Sequence, residues 1–294
     1  MVSAKTQPVA LCDHCGKARH GIEPQCRACN YPAAQWAPNV QLAARPEEIA
    51  ALEERYRNAR DMAGEASAGL EALERIAERT GAVVNLPVGL AHSLFTGEAP
   101  LYSPYEQQLK GSLRTPAEPE NDRHRRAVGG LLYGSYSEEM VYAALSADGR
   151  GLSSYGPVHL ELEESCVAYR STVLEENSYS FVRRHGVTPG RPLPHGYLAR
   201  WQARGMLAVA KLAQDVKDDL DEEACCRLLL QSRGDRASDR FLEVHVYGTF
   251  NHQAVRSLAL PGAGAAGLLD EVRQVQIKVL RERLERSGVP WKEA

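Results

Sequence analysis

The sequence predicts an α+β protein behind a short metal-binding segment. Two runs, Pro157 to Leu162 and Phe241 to Tyr247, alternate apolar with polar residues, which is typical of strands that bury one face. Leu268 to Arg286 instead has the spacing of a closing amphipathic helix. Glycine and proline punctuate short runs throughout residues 83–261, and no internal repeat is present. Strands and helices are therefore expected to mix within one unit, residues 83–294.

Composition excludes several classes of protein. Of the 294 residues, 44% are hydrophobic and 25% are charged, values that exclude a disordered chain, a collagen and a membrane bundle. A formal net charge of -3 argues against a protein that coats nucleic acid with a broad basic surface. Met1 to Leu11 lacks the apolar core of a signal peptide, and no apolar run is long enough to span a membrane. We therefore expect a protein without membrane contact that acts in the cytoplasm of the producing cell, or of a target cell if a dedicated machine exports it.

The strongest local signal is a pair of Cys-x-x-Cys motifs near the amino terminus. Each motif places two thiolates on one tight turn, and two such turns supply a closed tetrahedral site for Zn²⁺. The expected ligands are Cys12, Cys15, Cys26 and Cys29. His14 and His20 lie in the same segment and are alternative ligands. Residues 1–38 are thus predicted to form a structural zinc ribbon with its linker, and the linker extends over residues 31–45.

Residues 39–82 are predicted to form a helical arm. Pro46, followed by two glutamates, favours a helix start, and Gly81 favours a stop near Arg79. Apolar residues recur every three or four positions, as in a coiled-coil seam. That seam consists of Ile49, Leu52, Tyr56, Ala59, Ala63, Ala66, Leu70, Leu73 and Ala77. Self-association through residues 46–79 is one expectation, and a hairpin broken at Gly64 and Gly69 is the alternative.

Further elements follow along the main unit. Gly196 to Leu220 and Asp221 to Ser232 are predicted as helices, and Ser257 to Leu260 as a short strand ended by Pro261. The polar stretch from Arg114 to Arg126 has mixed charge and is predicted as a mobile loop.

The first candidate for chemistry is the strand that contains Glu243 and His245. Side chains two residues apart share one face of a strand, so this carboxylate and imidazole can converge on a bound ligand. Tyr247 lies on the same face. The alternative is an outer strand whose polar face is simply solvated.

Two further runs carry polar groups suited to phosphate or ribose. Tyr155 opens the first of them, which continues through the cation and hydroxyls of Arg170, Ser171 and Thr172 to Asn177 and Ser178. A well-capped turn beside a strand explains the same residues without a ligand. The second run, Tyr105 and Glu106, precedes Arg123, His124, Arg125 and Arg126. Those four could contact phosphate, or they begin a solvated helix.

Three blocks in this order resemble a known family. They are Tyr-Gly-x-Val with an Arg-x-Thr turn that leads to Ser178, a helix with Leu-Ala-x-x-Lys-Leu-Ala over residues 207–213, and Phe-x-Glu-x-His-x-x-Gly over residues 241–248. Together they resemble the ADP-ribosyltransferase-like toxin domains of bacteria and phages over about residues 85–262. The resemblance implies a mixed β-sheet and NAD⁺ as substrate.

The resemblance also implies roles for residues. Glu243 takes the place of the glutamate that holds the nicotinamide ribose, and His245 stands where relatives often carry glutamine. The residues implied to contact NAD⁺ are Arg170, Ser171, Thr172, Tyr155, Asn177, Ser178 and Tyr142. The block around Tyr142 lacks the arginine that relatives carry there for the phosphates. Either Arg170 replaces that arginine or the domain has lost catalysis.

Three functions follow as expectations. The first is a toxin or phage-defence effector that transfers ADP-ribose from NAD⁺ to a macromolecule, or hydrolyses NAD⁺, with an antitoxin or inhibitor as a further partner. The second is a catalytically inactive zinc-ribbon protein that mediates binding or assembly. The third is a nuclease that uses His245 with Arg170 or His252 as acid and base.

Overall fold

The structure is a computed structural model. It describes Lys17 and residues 37–63, 67–97, 101–116, 119–217, 220–232, 234–236, 238–267 and 269–294. The predicted zinc ligands Cys12, Cys15, Cys26 and Cys29 lie outside the described residues.

The described chain is a mixed α/β protein built on one large sheet. Its strands are β1 (Gly81–Leu86), β2 (Met140–Ser146), β3 (Val158–Leu162), β4 (Ser171–Leu174), β5 (Leu198–Arg200), β6 (Leu230–Gln231), β7 (Arg240–Phe241), β8 (Glu243–Tyr247), β9 (Val255–Leu260) and β10 (Trp291–Glu293). Eight of them form a sheet in the order β10-β9-β3-β1-β2-β8-β4-β5, and β6 pairs with β7 in a separate ribbon. Within the large sheet β10 runs parallel to β9, and the other neighbours are antiparallel.

Helices cover this sheet. In the described residues they are α1 (Pro38–Ala43), α2 (Pro46–Ala63), α3 (Ser67–Arg79), α4 (Val88–Thr96), α5 (Tyr105–Lys110), α6 (Pro119–Tyr133), α7 (Glu164–Val167), α8 (Ser178–Arg184), α9 (Arg204–Leu212), α10 (Glu222–Leu229), α11 (Ala263–Ala266) and α12 (Glu271–Ser287). None of the helices in this part of the chain combines the length and the apolar character that a membrane span requires.

Several predicted elements are confirmed, with shifted ends. The alternating run over residues 157–162 contains β3. The run over residues 241–247 begins in β7 and continues as β8. The short strand that ends before Pro261 is β9. The two predicted helices toward the carboxyl terminus are α10 and α12, which begin after the side-chain caps Asp221 and Asp270. These caps accept hydrogen bonds from first-turn amides, which sets where each helix starts.

Three predicted segments are wrong. Residues 38–43 are helix α1 and not linker, and most of the stretch predicted as a mobile loop over 114–126 belongs to α6, where Pro119 and acidic residues in the first turn favour a helix start. The helix predicted from Gly196 to Leu220 begins instead as β5, because residues 198–200 pair with β4, and only then becomes α9. Tertiary pairing here overrides local propensity.

The segment predicted as an arm is part of the main core. Residues 46–79 form two helices, α2 and α3, as the broken alternative predicted, and not one continuous helix. Their seam residues Leu52, Leu70 and Leu73 belong to the cluster that contains the sheet. A Cβ atom at Gly69 would collide with the carbonyl oxygen of Lys217, so glycine permits this close packing. The chain itself covers these three seam residues, and they are therefore not free to pair with a second copy.

Strand β8 lies between β2 and β4 and is buried along its whole length. The sequence left open a solvated polar face here, and the structure excludes it: Glu243 is 6% exposed and His245 is 0% exposed. Because buried polar groups are costly without partners, these two side chains must find hydrogen bonds inside the protein.

We predict that His159 makes the fold acid-sensitive. Burial lowers the pKa of this β3 imidazole from 6.5 to about 4, while its Nδ1 accepts the Gly151 N–H at 2.7 Å. Above pH 6.5 the imidazole is neutral in both the folded and the unfolded state. As the pH falls from 6.5 toward 4, the unfolded state binds a proton that the folded state does not, so stability is lost, by about 3 kcal/mol at roughly 1.4 kcal/mol per pKa unit.

The measurement compares the free energy of unfolding in urea at about pH 7.5 and about pH 4.5 for the native chain and His159→Asn. The asparagine oxygen retains an acceptor for Gly151 but does not titrate. The variant should lose less stability between the two pH values. Equal losses in the two proteins would show that His159 is not the group responsible.

Candidate functional site

A strand, a turn and a helix meet at the carboxylate of Glu243. The Oε2 atom accepts the backbone N–H of Ser178 at 2.7 Å and also the hydroxyl of the same serine. The Nε2 atom of His245 lies 3.1 Å from this oxygen and 3.1 Å from the serine Oγ. Ser178 is the first residue of α8, so the end of β4 and the start of α8 carry it to the face of β8. The three side chains form one buried polar cluster.

The other side of the imidazole is held by tyrosines. The Nδ1 atom of His245 shares a hydrogen bond with the hydroxyl of Tyr133, which ends α6. The ring of Tyr142, directly opposite on β2, meets the imidazole edge-on with its centroid 5.0 Å away. Both ring nitrogens of His245 therefore have partners, and packing fixes the ring plane. This histidine is set to hold Glu243 in place.

Asn39 of α1 ties the strands beneath the cluster together. Its Nδ2 atom donates to the backbone oxygen of His245 at 2.9 Å, to the backbone oxygen of Arg170 at 3.2 Å and to the Thr172 hydroxyl at 3.2 Å. The asparagine is fully buried. It therefore links β8 to β4 where the two strands pass below the carboxylate.

The second oxygen of Glu243 is less occupied. Oε1 accepts one long hydrogen bond, 3.4 Å, from Nδ2 of Asn177. The Oδ1 atom of Asn177 accepts the backbone N–H groups of Tyr179 and Ser180, so the amide caps α8 and its Nδ2 points at Glu243. A carboxylate oxygen has room for more than one donor, and this atom keeps capacity for a ligand hydroxyl.

The negative charge of Glu243 reaches two further tyrosines. Burial raises the pKa of Tyr142 above its ordinary value, and the carboxylate adds to that rise. Burial likewise raises the pKa of Tyr155, with Glu243 again the next cause. The Arg236 guanidinium stacks on the Tyr155 ring at 4.7 Å and donates to the Ser154 carbonyl. Tyr142 and Tyr155 thus lie within the field of the carboxylate.

Of the residues predicted from sequence, the structure brings Glu243, His245, Asn177 and Ser178 together by direct hydrogen bonds, with Tyr142 in ring contact and Thr172 beneath. The side chains of Arg170 and Ser171 do not join the cluster and instead donate to backbone carbonyls. The guanidinium of Arg170 donates to the carbonyls of Tyr247 at 2.7 Å and Thr249 at 2.8 Å, and to that of Cys166 at 3.2 Å. The Ser171 hydroxyl donates to the Val167 carbonyl.

The structure does not bring together the side chains predicted as the acid and base of a nuclease. His245 is buried, whereas His252 is exposed and packs against the ring of Phe95 at 6.0 Å. Within the described chain no hydrogen bond, ion pair or ring contact joins His245 to His252 or to Arg170.

Two side chains of the cluster, Asn39 and Tyr133, were not predicted from the sequence, and no local pattern distinguishes them.

A cleft of about 150 Å³ is lined in part by Tyr142. Its walls come from α5, α6, β2 and the turn that joins α6 to β2, and their charged residues are Glu106, Glu138, Arg125 and Arg126. Tyr142 is shared between this cleft and the cluster, because its ring contacts His245. The cleft and the carboxylate of Glu243 are therefore neighbours.

A second acidic group does not make a metal site. Ligand atoms of Glu175, Glu176 and His185 lie within 4.8 Å of one another. Glu175, however, is ion-paired with Arg55 at 2.5 Å and with Arg184. The charge of this carboxylate is thus already balanced by side chains, so we assign no ion to the group.

No family model matches the chain, and no curated protein matches it.

We predict strong coupling between Ser178 and Glu243. Ser178→Ala removes a donor from a buried carboxylate and should lower the free energy of unfolding by about 2 kcal/mol. In a Glu243→Gln background the charge is gone, so the same serine change should cost less, with a coupling free energy of at least about 1 kcal/mol. A double-mutant cycle measured by urea unfolding gives this number.

Ser171→Ala is the matched control for that cycle. Its hydroxyl is equally buried but bonds Val167, so its effect should be the same with Glu243 and with glutamine. Strict additivity of Ser178→Ala and Glu243→Gln would contradict the hydrogen-bonded cluster.

Proposed function

We propose that the protein cleaves the N-glycosidic bond of NAD⁺ and transfers ADP-ribose to a macromolecule or to water. The observation that supports this most is the Glu243 carboxylate, which is fixed through Oε2 by Ser178 and beside His245 while Oε1 retains hydrogen-bonding capacity. A carboxylate held in a largely dry site stabilises a developing positive charge far better than one in water. The resemblance noted from the sequence assigns the same residue.

In the proposed reaction the bond between ribose C1′ and the nicotinamide nitrogen breaks, and its electron pair leaves with nicotinamide. Positive charge builds on the ribose, and Glu243 stabilises it while accepting a hydrogen bond from a ribose hydroxyl at Oε1. A lone pair of water or of a target hydroxyl or amine then forms the new bond at C1′. The nucleophile releases one proton, for which Glu243 is the base within reach.

His245 and Tyr133 act in this proposal as positioning residues. The imidazole contacts Glu243 through Nε2 and Tyr133 through Nδ1, so the two hold the carboxylate in one orientation. Such fixing lowers the reorganisation required when charge develops. Arg170 does not suit the phosphate contact that the resemblance implied, because its guanidinium already donates to backbone carbonyls.

A non-catalytic binding protein is the second candidate. The burial of Glu243, which is only 6% exposed, favours this candidate, because a substrate would have to reach the carboxylate.

The biological setting that we propose for the active enzyme is a cytoplasmic toxin or phage-defence effector with a macromolecular target and an antitoxin or inhibitor. Its target is a protein or a nucleic acid.

We predict that Glu243→Gln abolishes nicotinamide release. Glutamine preserves the shape and the hydrogen bond from Ser178 but removes the charge, so turnover should fall by at least about 100-fold. The measurement incubates the full chain with NAD⁺ labelled in nicotinamide and in adenine, with and without cell extract. Free nicotinamide reports cleavage, and adenine label on macromolecules reports transfer.

Glu161→Gln is the matched control. This glutamate is in β3 of the same sheet, is half-buried and hydrogen-bonds Ser257, yet it belongs to neither the cluster nor the cleft. Its release rate should equal that of the native chain. Undiminished release by Glu243→Gln would overturn the catalytic assignment, and NAD⁺ binding without release by the native chain would favour the binding protein.

We propose further that Cys12, Cys15, Cys26 and Cys29 hold one structural Zn²⁺, on the strength of the two Cys-x-x-Cys motifs. The purified full chain should contain about one zinc per molecule by elemental analysis. Replacing Cys12 and Cys15 by serine should remove the metal. Cys225→Ser and Cys226→Ser, outside the motif, should retain it. Zinc retained without Cys12 and Cys15 would refute the four-thiolate site.

A further inference from the structure

The cleft beside Tyr142 contains polar groups that lack protein partners. We propose that it is a binding site for a phosphorylated sugar, with the phosphoryl group on Arg125 and a sugar hydroxyl on Glu106. Both side chains line the cleft together with Tyr142. The inference concerns binding and does not require that Glu243 be catalytic.

Arg125 supplies an uncommitted guanidinium. Its Cζ lies 4.3 Å from the centroid of the Tyr105 ring and 6.0 Å from that of Tyr142. Stacking holds the group in place while leaving its N–H donors free, and within the described residues Arg125 makes no hydrogen bond and no ion pair. A planar fork of donors fixed in this way matches the oxygens of a phosphate.

No described acid lies within ion-pair distance of Arg125, although the Arg125 charge still lowers the pKa of Glu106. Lys110 pairs with Glu138 at 2.5 Å, and Arg126 pairs with Glu106 at 3.8 Å. Asp122 accepts the hydroxyl of Tyr105. A second unpaired guanidinium in the described chain, Arg114, stacks on the same Tyr105 ring at 4.8 Å. Burial lowers the pKa of Arg114, and the charges of Arg125 and Arg236 lower it further.

A bound phosphoryl group would balance the two guanidinium groups that stack on the Tyr105 ring, since these repel each other. The charged residues that line the cleft are two acids, Glu106 and Glu138, and two arginines, and their charges sum to zero. The attraction for an anion is therefore local to Arg125 and depends on its free donors. The phosphoryl group is the anion whose geometry Arg125 fits.

Glu106 and Tyr142 specify what accompanies the phosphate. The Oε1 atom of Glu106 is buried and has no hydrogen-bond partner, and burial raises the pKa of this carboxyl although Arg126 and Arg125 lower it. The Tyr142 hydroxyl forms no hydrogen bond with any described residue, and it lies 3.4 Å from where a Cβ at Gly129 would be. A carboxylate oxygen requires a donor, so the ligand must carry a hydroxyl next to its anionic group.

A sugar phosphate meets both requirements, and inorganic phosphate meets one. The cleft, about 150 Å³, holds a group larger than several water molecules. The absence of a side chain at Gly129 keeps this space open, since a Cβ there would approach the Ser137 Cβ to 3.1 Å. If NAD⁺ is also the substrate, its phosphoribosyl part is a source of the same chemistry.

The test titrates ribose 5-phosphate, inorganic phosphate and ribose into the full chain by calorimetry at low salt. Ribose 5-phosphate should bind about tenfold more tightly than phosphate, and ribose should not bind measurably. Arg125→Gln should weaken both anions by at least about tenfold. Glu106→Gln should weaken ribose 5-phosphate while leaving phosphate unchanged or improved, so the preference for the sugar disappears.

Arg183→Gln is the control, because it removes an equal charge from an exposed arginine that also stacks on a tyrosine, Tyr179, but does not line the cleft. It should change the phosphate affinity by no more than about threefold. Equal losses in Arg125→Gln and Arg183→Gln would reduce the effect to general electrostatics and overturn the site. No binding of either anion to the native chain would overturn it as well.

Two controls keep the outcomes separate. Thermal unfolding shows whether Arg125→Gln is folded, and Arg125→Lys retains the charge without the planar fork, so it should recover phosphate binding in part. Titrating NAD⁺ into Glu243→Gln with and without Arg125→Gln tells whether the dinucleotide uses the cleft. Sugar-phosphate binding without nicotinamide release would refute the proposed activity and preserve this site. Nicotinamide release without binding of ribose 5-phosphate or phosphate would refute this site and preserve the activity.

Discussion

The site depends on the need to satisfy a carboxylate inside a sheet. Glu243 is in a strand that is buried on both sides, and its Oε2 is held by the backbone and side chain of Ser178. An unpaired buried charge costs several kcal/mol, so β4, α8 and β8 must meet at this point for the fold to be stable. The same requirement that shapes the sheet also fixes the carboxylate for chemistry.

Tyrosines and asparagines complete that arrangement from outside the sheet. Tyr133 reaches His245 from the end of α6, and Asn177 reaches Glu243 while it caps α8. Each of these residues stabilises a helix end or a strand and also orients the cluster. Tyr142 then connects the cluster with the cleft, so an anion bound there lies within the field of a fixed negative charge.

The parts of the fold that were predictable are those that local pattern controls. Alternation identified β3 and β8, and amphipathic periodicity identified α12. The sequence also placed Glu243 and His245 on one face. It did not show that Ser178, 65 residues earlier, would bond Glu243, because contacts so distant along the chain leave no local pattern. Propensity also failed at β5, where pairing with β4 replaced a predicted helix.

The cleft illustrates a different limit. Arg125 was visible as part of a basic run, but the pattern equally fitted a solvated helix start. What distinguishes Arg125 from Arg126 is the ring of Tyr105 and the lack of an acidic partner, and both depend on how α5 packs beside α6. Packing of this kind is tertiary information, which neither charge nor spacing contains.

The attachment of α1 bears on how the chain can be divided. Asn39 gives its amide to the backbone at His245 and at Arg170, and its helix packs beside β4, β5 and β8. A fragment that starts after this helix would leave those carbonyls without their donor and uncover apolar surface under the cluster. The smallest piece expected to keep the cluster therefore begins before Pro38, and any cut that isolates the cysteine motifs should fall upstream of that proline.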